Sequence, residues 1–248
     1  MTFLFDLDGV ILATEPYYTY FWSDMGEKYL GLKDFGITIK GQTLKQILGQ
    51  YVEDAAIAEI LVEELDRFES EMEFGFIPGA WEFLKKVKAA GIPSAIVTSS
   101  NDKKMEKLYA RNPEFKSMVN VVLTSEQFSK SKPDPECFLK GMEILGSTPS
   151  DTIVFEDSIH GLNAGIASGA TVVGLATTNS REDITPLCNM VIDNFEGITI
   201  EDIIDLSKKK NEPEWMLEFR LKSFKKFLEL DNPDFGPTID IDFDNITY

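Results

Sequence analysis

The feature that most constrains the fold is an alternation of short apolar runs with helical patterns along residues 80–193. Each apolar run is a predicted strand. The strands are predicted at residues 2–5, 94–98, 119–123, 152–156, 171–175 and 189–193, and the helices at 80–90, 102–110, 135–145 and 159–168. Continuous apolar strands that alternate with helices are typical of a parallel sheet covered on both faces. The sequence therefore predicts an α/β fold with a Rossmann-like parallel sheet.

A long segment between the first and second predicted strands interrupts this alternation. Residues 17–73 are acidic and aromatic, and their apolar residues recur at helical rather than strand spacing. The clearest run consists of Ile57, Ile60, Leu61, Leu65 and Phe68. We therefore predict an inserted α-helical cap over residues 14–76, and an α/β core formed by residues 1–13 and 77–207.

Charge and composition narrow the classes of function. The net charge is −18, and such a surface repels nucleic acid and anionic membranes. No apolar run approaches the roughly 20 residues of a membrane-spanning helix, and no basic region precedes the first apolar run as in a secretory signal. We expect a cytoplasmic protein that binds neither nucleic acid nor a membrane.

The rare residue types exclude several mechanisms. His160 is the single histidine, so no mechanism with two imidazoles is available, and we expect it to be exposed or to pack on its helix. The two cysteines, Cys137 and Cys188, lack paired spacing and are interpreted as free, neutral thiols. Carboxylates must therefore perform most of any acid–base chemistry.

Polar side chains follow the predicted strands at the point where each strand ends. In chain order these are Asp6 and Asp8, then Thr98 and Ser99, then Lys130 and Lys132, then Glu156 and Asp157. In an open parallel sheet the strand ends meet at one edge, where ligands bind. Carboxylate oxygens suit Mg²⁺, and hydroxyl and backbone N–H groups at a helix start suit phosphate. The sequence therefore predicts a magnesium-dependent phosphate site.

Simpler interpretations exist for each of these residues. Aspartate is common in turns, which could explain Asp6 and Asp8. Glu156 or Asp157 could cap the following helix. Lys132 could be a solvated loop lysine, and Lys130 is its rival for the site. The convergence of all four strand ends favours a functional site.

Four ordered motifs together resemble the haloacid dehalogenase-like superfamily, in its branch with a helical cap. The motifs are Phe5-Asp6-Leu7-Asp8-Gly9-Val10, Thr98-Ser99, Lys132-Pro133-Asp134-Pro135, and Glu156-Asp157-Ser158 followed by Gly161, Ala164 and Gly165. The resemblance covers roughly residues 1–207.

The resemblance implies specific roles. Asp6 would be the nucleophile that forms an aspartyl-phosphate, and Asp8 would be the general acid and then the general base. Thr98, Ser99, Lys132 and the backbone at Gly9 would bind the phosphoryl group. Asp6, the Asp8 carbonyl and Asp157 would ligate Mg²⁺, with Glu156 as a further ligand.

Within this branch the choice lies between a phosphatase and a β-phosphoglucomutase-like mutase. Leu44 stands where the mutases carry an arginine for a distal phosphate, and Tyr18 stands where they carry a histidine. Lys40 or Lys45 could compensate. We predict a phosphatase for a small phosphorylated metabolite of the sugar or polyol phosphate class. A catalytically idle binding module would be expected to lack a motif residue, and none is missing.

The C-terminal stretch, residues 208–248, departs from the core pattern. A charged linker over residues 207–215 precedes a predicted amphipathic helix at 215–230, so we predict a C-terminal helical extension. Residues 211–222 and 241–245 resemble the N-terminal segment of the SUF-system scaffold B subunit. The extension is either a fusion or interaction segment for a protein partner, or a helix packed on the core. With two cysteines in the chain, no iron–sulfur activity is expected.

Overall fold

The computed structural model describes residues 1–40 and 42–210, with the backbone alone for residues 206–210. The extension predicted at 208–248, with its helix at 215–230, lies outside the described residues except at its start. There the helix Ile200–Lys210 includes residues 207–210, which were predicted as the start of the charged linker. The linker was therefore predicted to begin too early. None of the helices in the described ranges is long and apolar enough to cross a membrane.

Parallel strands form the centre of the fold. In the described part of the chain the sheet has six strands, in the order β3-β2-β1-β4-β5-β6. They are β1 Thr2–Phe5, β2 Ser94–Val97, β3 Val121–Leu123, β4 Thr152–Glu156, β5 Thr171–Leu175 and β6 Met190–Ile192. This is the strand order of the doubly wound Rossmann fold, with its switch point between β1 and β4. The predicted α/β fold class is confirmed.

Three strands are shorter than predicted: β2 ends at Val97, and β3 and β6 start late, for which asparagine side chains give the physical reason. Asn120 precedes β3, and its side-chain oxygen accepts a hydrogen bond of 2.9 Å from the Ser94 amide. Asn189 precedes β6, and its side-chain oxygen accepts a bond of 2.8 Å from the Val172 amide. In each case a side chain substitutes for the backbone acceptor, so β3 starts two residues and β6 one residue later than predicted.

Helices cover both faces of the sheet. Following the cap segment they are α5 Ala80–Ala89, α6 Asp102–Arg111, α7 Glu136–Leu145, α8 Ile159–Ala167, α9 Arg181–Ile184 and α10 Ile200–Lys210. Alternate residues of β1 enter opposite apolar clusters, with Phe3 and Phe5 on one face and Leu4 on the other. This period of two is the reason that strands covered on both faces read as continuous apolar runs. Cys137 and Cys188 are free thiols, as predicted.

The segment between β1 and β2 is helical, as expected for an inserted cap. It contains α1 Glu15–Met25, a π-helical continuation Gly26–Leu30, α2 Phe35–Thr38, α3 Leu44–Tyr51 and α4 Ala55–Glu71. These elements bury an apolar cluster of their own, formed by Phe21, Trp22, Met25, Phe35, Ile39, Ile47, Leu61 and Leu65. A separate core supports the predicted cap, whose boundaries at residues 14 and 76 stay a prediction.

The register of the sheet positions the predicted site. Phe5, the last residue of β1, pairs with Ile96 on β2 and with Phe155 on β4. The next residue along each strand therefore lies at the same level, and the Asp6 amide donates to the Phe155 carbonyl at 2.9 Å. The residues that follow β1 and β4 are thus neighbours at the switch point, although they are far apart in the sequence.

Candidate active site

Asp6 and Lys132 form the centre of the site. The Lys132 side chain is 1% exposed, and its Nζ donates to Asp6 Oδ1 at 2.5 Å, to Glu156 Oε1 at 2.7 Å and to the Val97 carbonyl at 3.1 Å. The rival Lys130 lies outside this cluster, exposed and paired with Asp134 at 3.3 Å. One buried cation therefore joins the ends of β1, β2 and β4.

Burial sets the electrostatics of this pair. Burial raises the pKa of Asp6 to about 8, an effect that Lys132 opposes and that Glu156 and Asp8 reinforce. Burial lowers the pKa of Lys132, but the charges of Asp6 and Glu156 raise it by more than burial lowers it. The net pKa of Lys132 therefore lies above the ordinary value. Lys132 is therefore a cation that favours the ionised, nucleophilic form of Asp6.

The carboxylate of Glu156 is hydrogen-bonded within the protein and is not arranged as a free metal ligand. Oε1 accepts from Lys132, and Oε2 accepts from the amides of Asp157 and Ser158 at 2.8 and 2.9 Å and from the Ser158 hydroxyl at 3.0 Å. Both oxygens are thus already engaged. Glu156 holds Lys132 and the loop after β4, and its predicted role as a metal ligand stays a prediction that these bonds do not favour.

Asp157 is the better placed carboxylate for a metal. It is buried, and its Oδ2 has no hydrogen-bond partner among the described residues. Burial raises its pKa well above the ordinary value, and Glu156, Glu15 and Asp6 raise it further. Thr178 lowers this pKa slightly, yet the two side chains do not reach hydrogen-bond geometry. A buried carboxylate oxygen of this kind requires a proton or a cation.

Gly9 permits the close approach of the β1 loop to Asp157. Its φ is +80°, in the left-handed region, and a Cβ at this position would lie 2.0 Å from Asp157 Oδ2. Only glycine fits there without strain. The position is explained by this approach to Asp157, and contact of its backbone with phosphate stays a prediction.

The donor set fits Mg²⁺. Asp6, Asp157 and the Asp8 backbone carbonyl are the hard oxygen donors that Mg²⁺ prefers. In the described ranges no group of three or more His, Cys, Asp or Glu side chains is arranged as a metal site. A site with two carboxylates, a backbone carbonyl and substrate oxygens does not require three such side chains, and the orphaned Asp157 Oδ2 supports it.

Thr98 and Ser99 lie at the start of the loop after β2. Thr98 is buried, its amide donates to the Leu123 carbonyl at 2.9 Å, and its hydroxyl oxygen accepts from the Ser100 amide at 3.0 Å. Both residues line the same cavity as Asp6 and Lys132. The structure thus brings Thr98 and Ser99 together with Asp6 and Lys132, and their contact with phosphate stays a prediction.

Asp8 is held by residues that the sequence did not indicate. Lys104 Nζ donates to Asp8 Oδ1 and Oδ2 at 2.5 and 2.6 Å, and the hydroxyls of Ser100 (2.8 Å) and Thr14 also donate to this carboxylate. Burial raises the pKa of Asp8, but Lys104 and these hydrogen bonds lower it more, so the net pKa is below the ordinary value. Asp8 is thus in its carboxylate form, ready to accept a proton.

A signal for Lys104 was present in the sequence. Lys104, Met105 and Leu108 share the buried face of α6. A lysine on the apolar face of a helix requires a charged partner, and a strand-end carboxylate is the nearest candidate.

The cap closes over these residues and forms a cavity of about 810 Å³. Cap side chains in its wall include Glu15, Tyr18, Trp22, Lys40, Gln42, Leu44, Lys45 and Glu69. Burial and the charge of Asp8 together raise the pKa of Glu15 to about 7, against the opposing effect of Lys40. The cavity size is in the range of small-molecule sites, and its wall is mixed polar and apolar.

His160 contacts the cap, which the sequence did not predict. Its Nδ1–H donates to the Lys40 carbonyl at 3.0 Å, and the side chain is half-buried. Lys40 Nζ donates to the Thr178 carbonyl at 3.4 Å, and the hydroxyls of Thr43 and Ser131 are 3.2 Å apart. These polar contacts join the cap to core residues outside α6.

Comparison with known proteins agrees with this geometry. The chain is 31% identical over 213 residues to hexitol phosphatase A of Escherichia coli strain K12, a match that covers 80% of this chain and 93% of that protein. It is 28% identical over 211 residues to the bifunctional riboflavin kinase/FMN phosphatase of Arabidopsis thaliana, covering 80% of this chain. The chain spans 54% of the length of that plant relative.

A solved structure shows the same fold. A HAD hydrolase of family IA, variant 3, from Entamoeba histolytica superposes with a TM-score of 0.72 at 26% identity, covering 84% of this chain and 99% of the other. The fold and the site together define an enzyme with a capped, Rossmann-like catalytic core. A family model described as haloacid dehalogenase-like hydrolase matches residues 3–175, and the chain belongs to this family. The resemblance inferred from the motifs is confirmed.

Proposed function

We propose that the protein is a Mg²⁺-dependent phosphatase that hydrolyses a small phosphorylated metabolite of the sugar or polyol phosphate class through an aspartyl-phosphate on Asp6. The observation that carries the proposal is the cluster at the floor of the cavity, in which Lys132 contacts Asp6 and the orphaned oxygen of Asp157 lies nearby. The named activity of the relative hexitol phosphatase A supports the substrate class.

The reaction proceeds in two displacements. In the first, the Asp8 carboxylate takes up the proton of the monoprotonated phosphate ester, an Oδ atom of Asp6 attacks phosphorus and the ester P–O bond breaks, and the leaving alkoxide takes that proton from Asp8. In the second, water attacks the phosphorus of the aspartyl-phosphate and gives its proton to the Asp8 carboxylate. The P–O bond to Asp6 then breaks, Asp8 passes its proton to the released phosphate, and phosphate leaves with both carboxylates restored.

The surrounding residues stabilise the charge that moves in these steps. Lys132 and the Thr98 hydroxyl bind the equatorial phosphoryl oxygens, and Ser99 contributes at the start of the same loop. Bound Mg²⁺, held by Asp6, Asp157 and the Asp8 carbonyl, would neutralise phosphoryl charge and the acidity of the site. Closure of the cap over the substrate would exclude bulk water from the cavity.

The wall of the cavity supports a hydroxylated substrate. Gln42 lines the cavity, and among the described residues its buried Oε1 has no hydrogen-bond partner. A buried acceptor of this kind gains most from a hydroxyl donor. Glu15 lines the same wall as a second acceptor for hydroxyl groups.

A mutase is the second candidate, because Lys40 and Lys45 both line the cavity and could bind a second phosphate. A phosphatase is favoured because Leu44, and not an arginine, occupies the position that would form a bidentate clamp. β-Glucose 1-phosphate supplied with the 1,6-bisphosphate separates the two. Isomerisation faster than phosphate release would establish the mutase.

The central test measures phosphate release from sugar phosphates, polyol phosphates and nucleotides, with and without Mg²⁺. We expect turnover that requires Mg²⁺ and is lost by at least about 10³-fold in Asp6→Asn, since the nucleophile is removed. Asp24→Asn, on the exposed side of α1, is the matched control and should retain activity. Equal turnover of Asp6→Asn and wild type would refute the mechanism. Turnover by neither would support an idle binding module.

A further inference from the structure

Lys104 is a buried cation for which the proposed reaction has no role. It is 2% exposed, and its Nζ bridges both oxygens of Asp8 and contacts the Ser100 hydroxyl at 3.0 Å. Asp8 retains hydrogen bonds from Thr14 and Ser100 without it. Lys104 is, however, the donor that contacts both oxygens of the carboxylate, whereas Thr14 contacts Oδ1 and Ser100 contacts Oδ2.

The same ammonium group contacts the cap. It lies 4.3 Å from the centroid of the Tyr18 ring, within the range of a cation–π interaction. The Tyr18 hydroxyl donates to Glu69 Oε1 at 3.0 Å, which joins α1 to α4 of the cap. One cation therefore contacts the proton-transfer group of the core and an aromatic residue of the cap.

The helix that carries Lys104 is a contact surface for the cap along its length. Lys107 Nζ donates to the Asp66 side chain at 2.7 Å and to its carbonyl at 2.8 Å, and Arg111 donates to the Ser70 carbonyl. Lys104, Lys107 and Arg111 are spaced along one face of α6, at intervals of three and four residues. α6 therefore contacts the cap through Lys107 and Arg111, and it contacts Asp8 through Lys104.

We propose that Lys104 is a positioning residue that orients the Asp8 carboxylate and couples its placement to the cap through Tyr18. This inference rests on the proposed function, in which Asp8 transfers the proton to and from the reacting oxygens. Proton transfer requires hydrogen-bond reach, and a misplacement of about 1 Å can reduce the rate by about 10²-fold. Lys104 would act through Asp8, without contact to the substrate.

The test separates the placement of Asp8 from binding and folding by comparing two leaving groups. An alkyl phosphate needs a proton on its leaving oxygen, whereas p-nitrophenyl phosphate does not. kcat/KM reports the steps up to phosphoryl transfer to Asp6. For Lys104→Ala we expect kcat/KM to fall by about 10- to 100-fold for glycerol phosphate and by less than about 3-fold for the aryl ester. The readout is therefore the ratio of kcat/KM for glycerol phosphate to kcat/KM for p-nitrophenyl phosphate.

Rescue and controls distinguish a positioning role from a structural one. Propylammonium replaces the atoms that Lys104→Ala removes and should restore alkyl ester turnover, while propanol should not. Lys104→Met keeps the bulk without the charge and should behave like Lys104→Ala if the alanine variant folds poorly. Lys103→Ala, the exposed neighbour on α6, is the matched control with an unchanged ratio.

The cap link is tested with Tyr18→Leu alone and combined with Lys104→Ala. Coupling predicts that the ratio falls in Tyr18→Leu and falls no further than in Lys104→Ala when both are changed. If the double variant instead shows the product of the two single effects on this ratio, the link between Lys104 and the cap is overturned. An unchanged ratio in both Lys104 variants, with an active wild type, would overturn the role of Lys104 alone. An inactive wild type would overturn the proposed function and this inference together.

Discussion

Replacement of Lys132 by methionine is the most informative single perturbation of this protein. Methionine keeps the length and apolar contacts of the side chain but removes the cation from a site that is 1% exposed. Asp6 and Glu156 then lose the donor that lies 2.5 and 2.7 Å from their oxygens. Removing one partner of a buried charge cluster costs about 3–5 kcal/mol.

The expected change in melting temperature follows from the size of the protein. For a domain of about 200 residues each kcal/mol lowers Tm by about 2–4 °C, so Lys132→Met should lose roughly 6–20 °C. The loss should be larger at pH 8 than at pH 5.5. Burial already raises the pKa of Asp6 to about 8, and without Lys132 this carboxyl can become neutral by protonation at the lower pH.

The assay is thermal unfolding followed by circular dichroism at both pH values, without metal. Lys130→Met is the matched control, because Lys130 lies two residues away, exposed, and pairs with Asp134 at the surface. Its effect should stay within about 0.5 kcal/mol. Equal melting temperatures for the two variants at pH 8 would refute the buried-charge reasoning. A deficit of the same size at both pH values would attribute the loss to packing.

Further predictions concern the carboxylates and Gly9. The pKa of Asp6 is about 8 when folded against 3.8 when unfolded, so the folded state binds more protons and wild-type stability should fall as pH rises between these values. Asp6→Asn should make the melting temperature less dependent on pH in this range. An unchanged pH dependence would contradict the raised pKa of Asp6. Asp157→Asn should weaken Mg²⁺ binding by about 10-fold or more in calorimetry, and wild-type binding should release protons, detectable as a buffer-dependent enthalpy. Gly9→Ala should cost about 1–3 kcal/mol because of its φ of +80° and the 2.0 Å approach to Asp157, whereas Gly49→Ala, with open space around it, should be neutral or stabilising in the same denaturant titration.

The sequence predicted the parts of the fold that local patterns encode. Strand β1 and the predicted strands at 152–156 and 171–175 were placed with their observed bounds, because continuous burial on both faces leaves a run of apolar residues. Its errors at the starts of β3 and β6 lie where a side chain replaces a backbone acceptor, as that of Asn120 does before β3. Such bonds connect distant segments and leave no periodic trace.

The sequence likewise predicted only part of the candidate site. Asp6, Thr98 and Asp157 could be found from the sequence because each directly follows a strand, and the ends of parallel strands converge on one edge. The chemistry of the two lysines in one loop is the same, so only the motif Lys132-Pro133-Asp134-Pro135 favoured Lys132 over Lys130. The structure shows which of them enters the core.

The sequence alone thus determined the class of fold, the family and the carboxylates available for chemistry, because hydrophobic period and strand-end composition are local properties. Only the tertiary structure decided the partners of those carboxylates. It assigned Lys132 to Asp6, engaged both oxygens of Glu156, and brought Lys104 to Asp8 across 96 residues of sequence. The physical reason is that a buried charge must find a partner in space, and the packing of the sheet, α6 and the cap determines which residue is within reach.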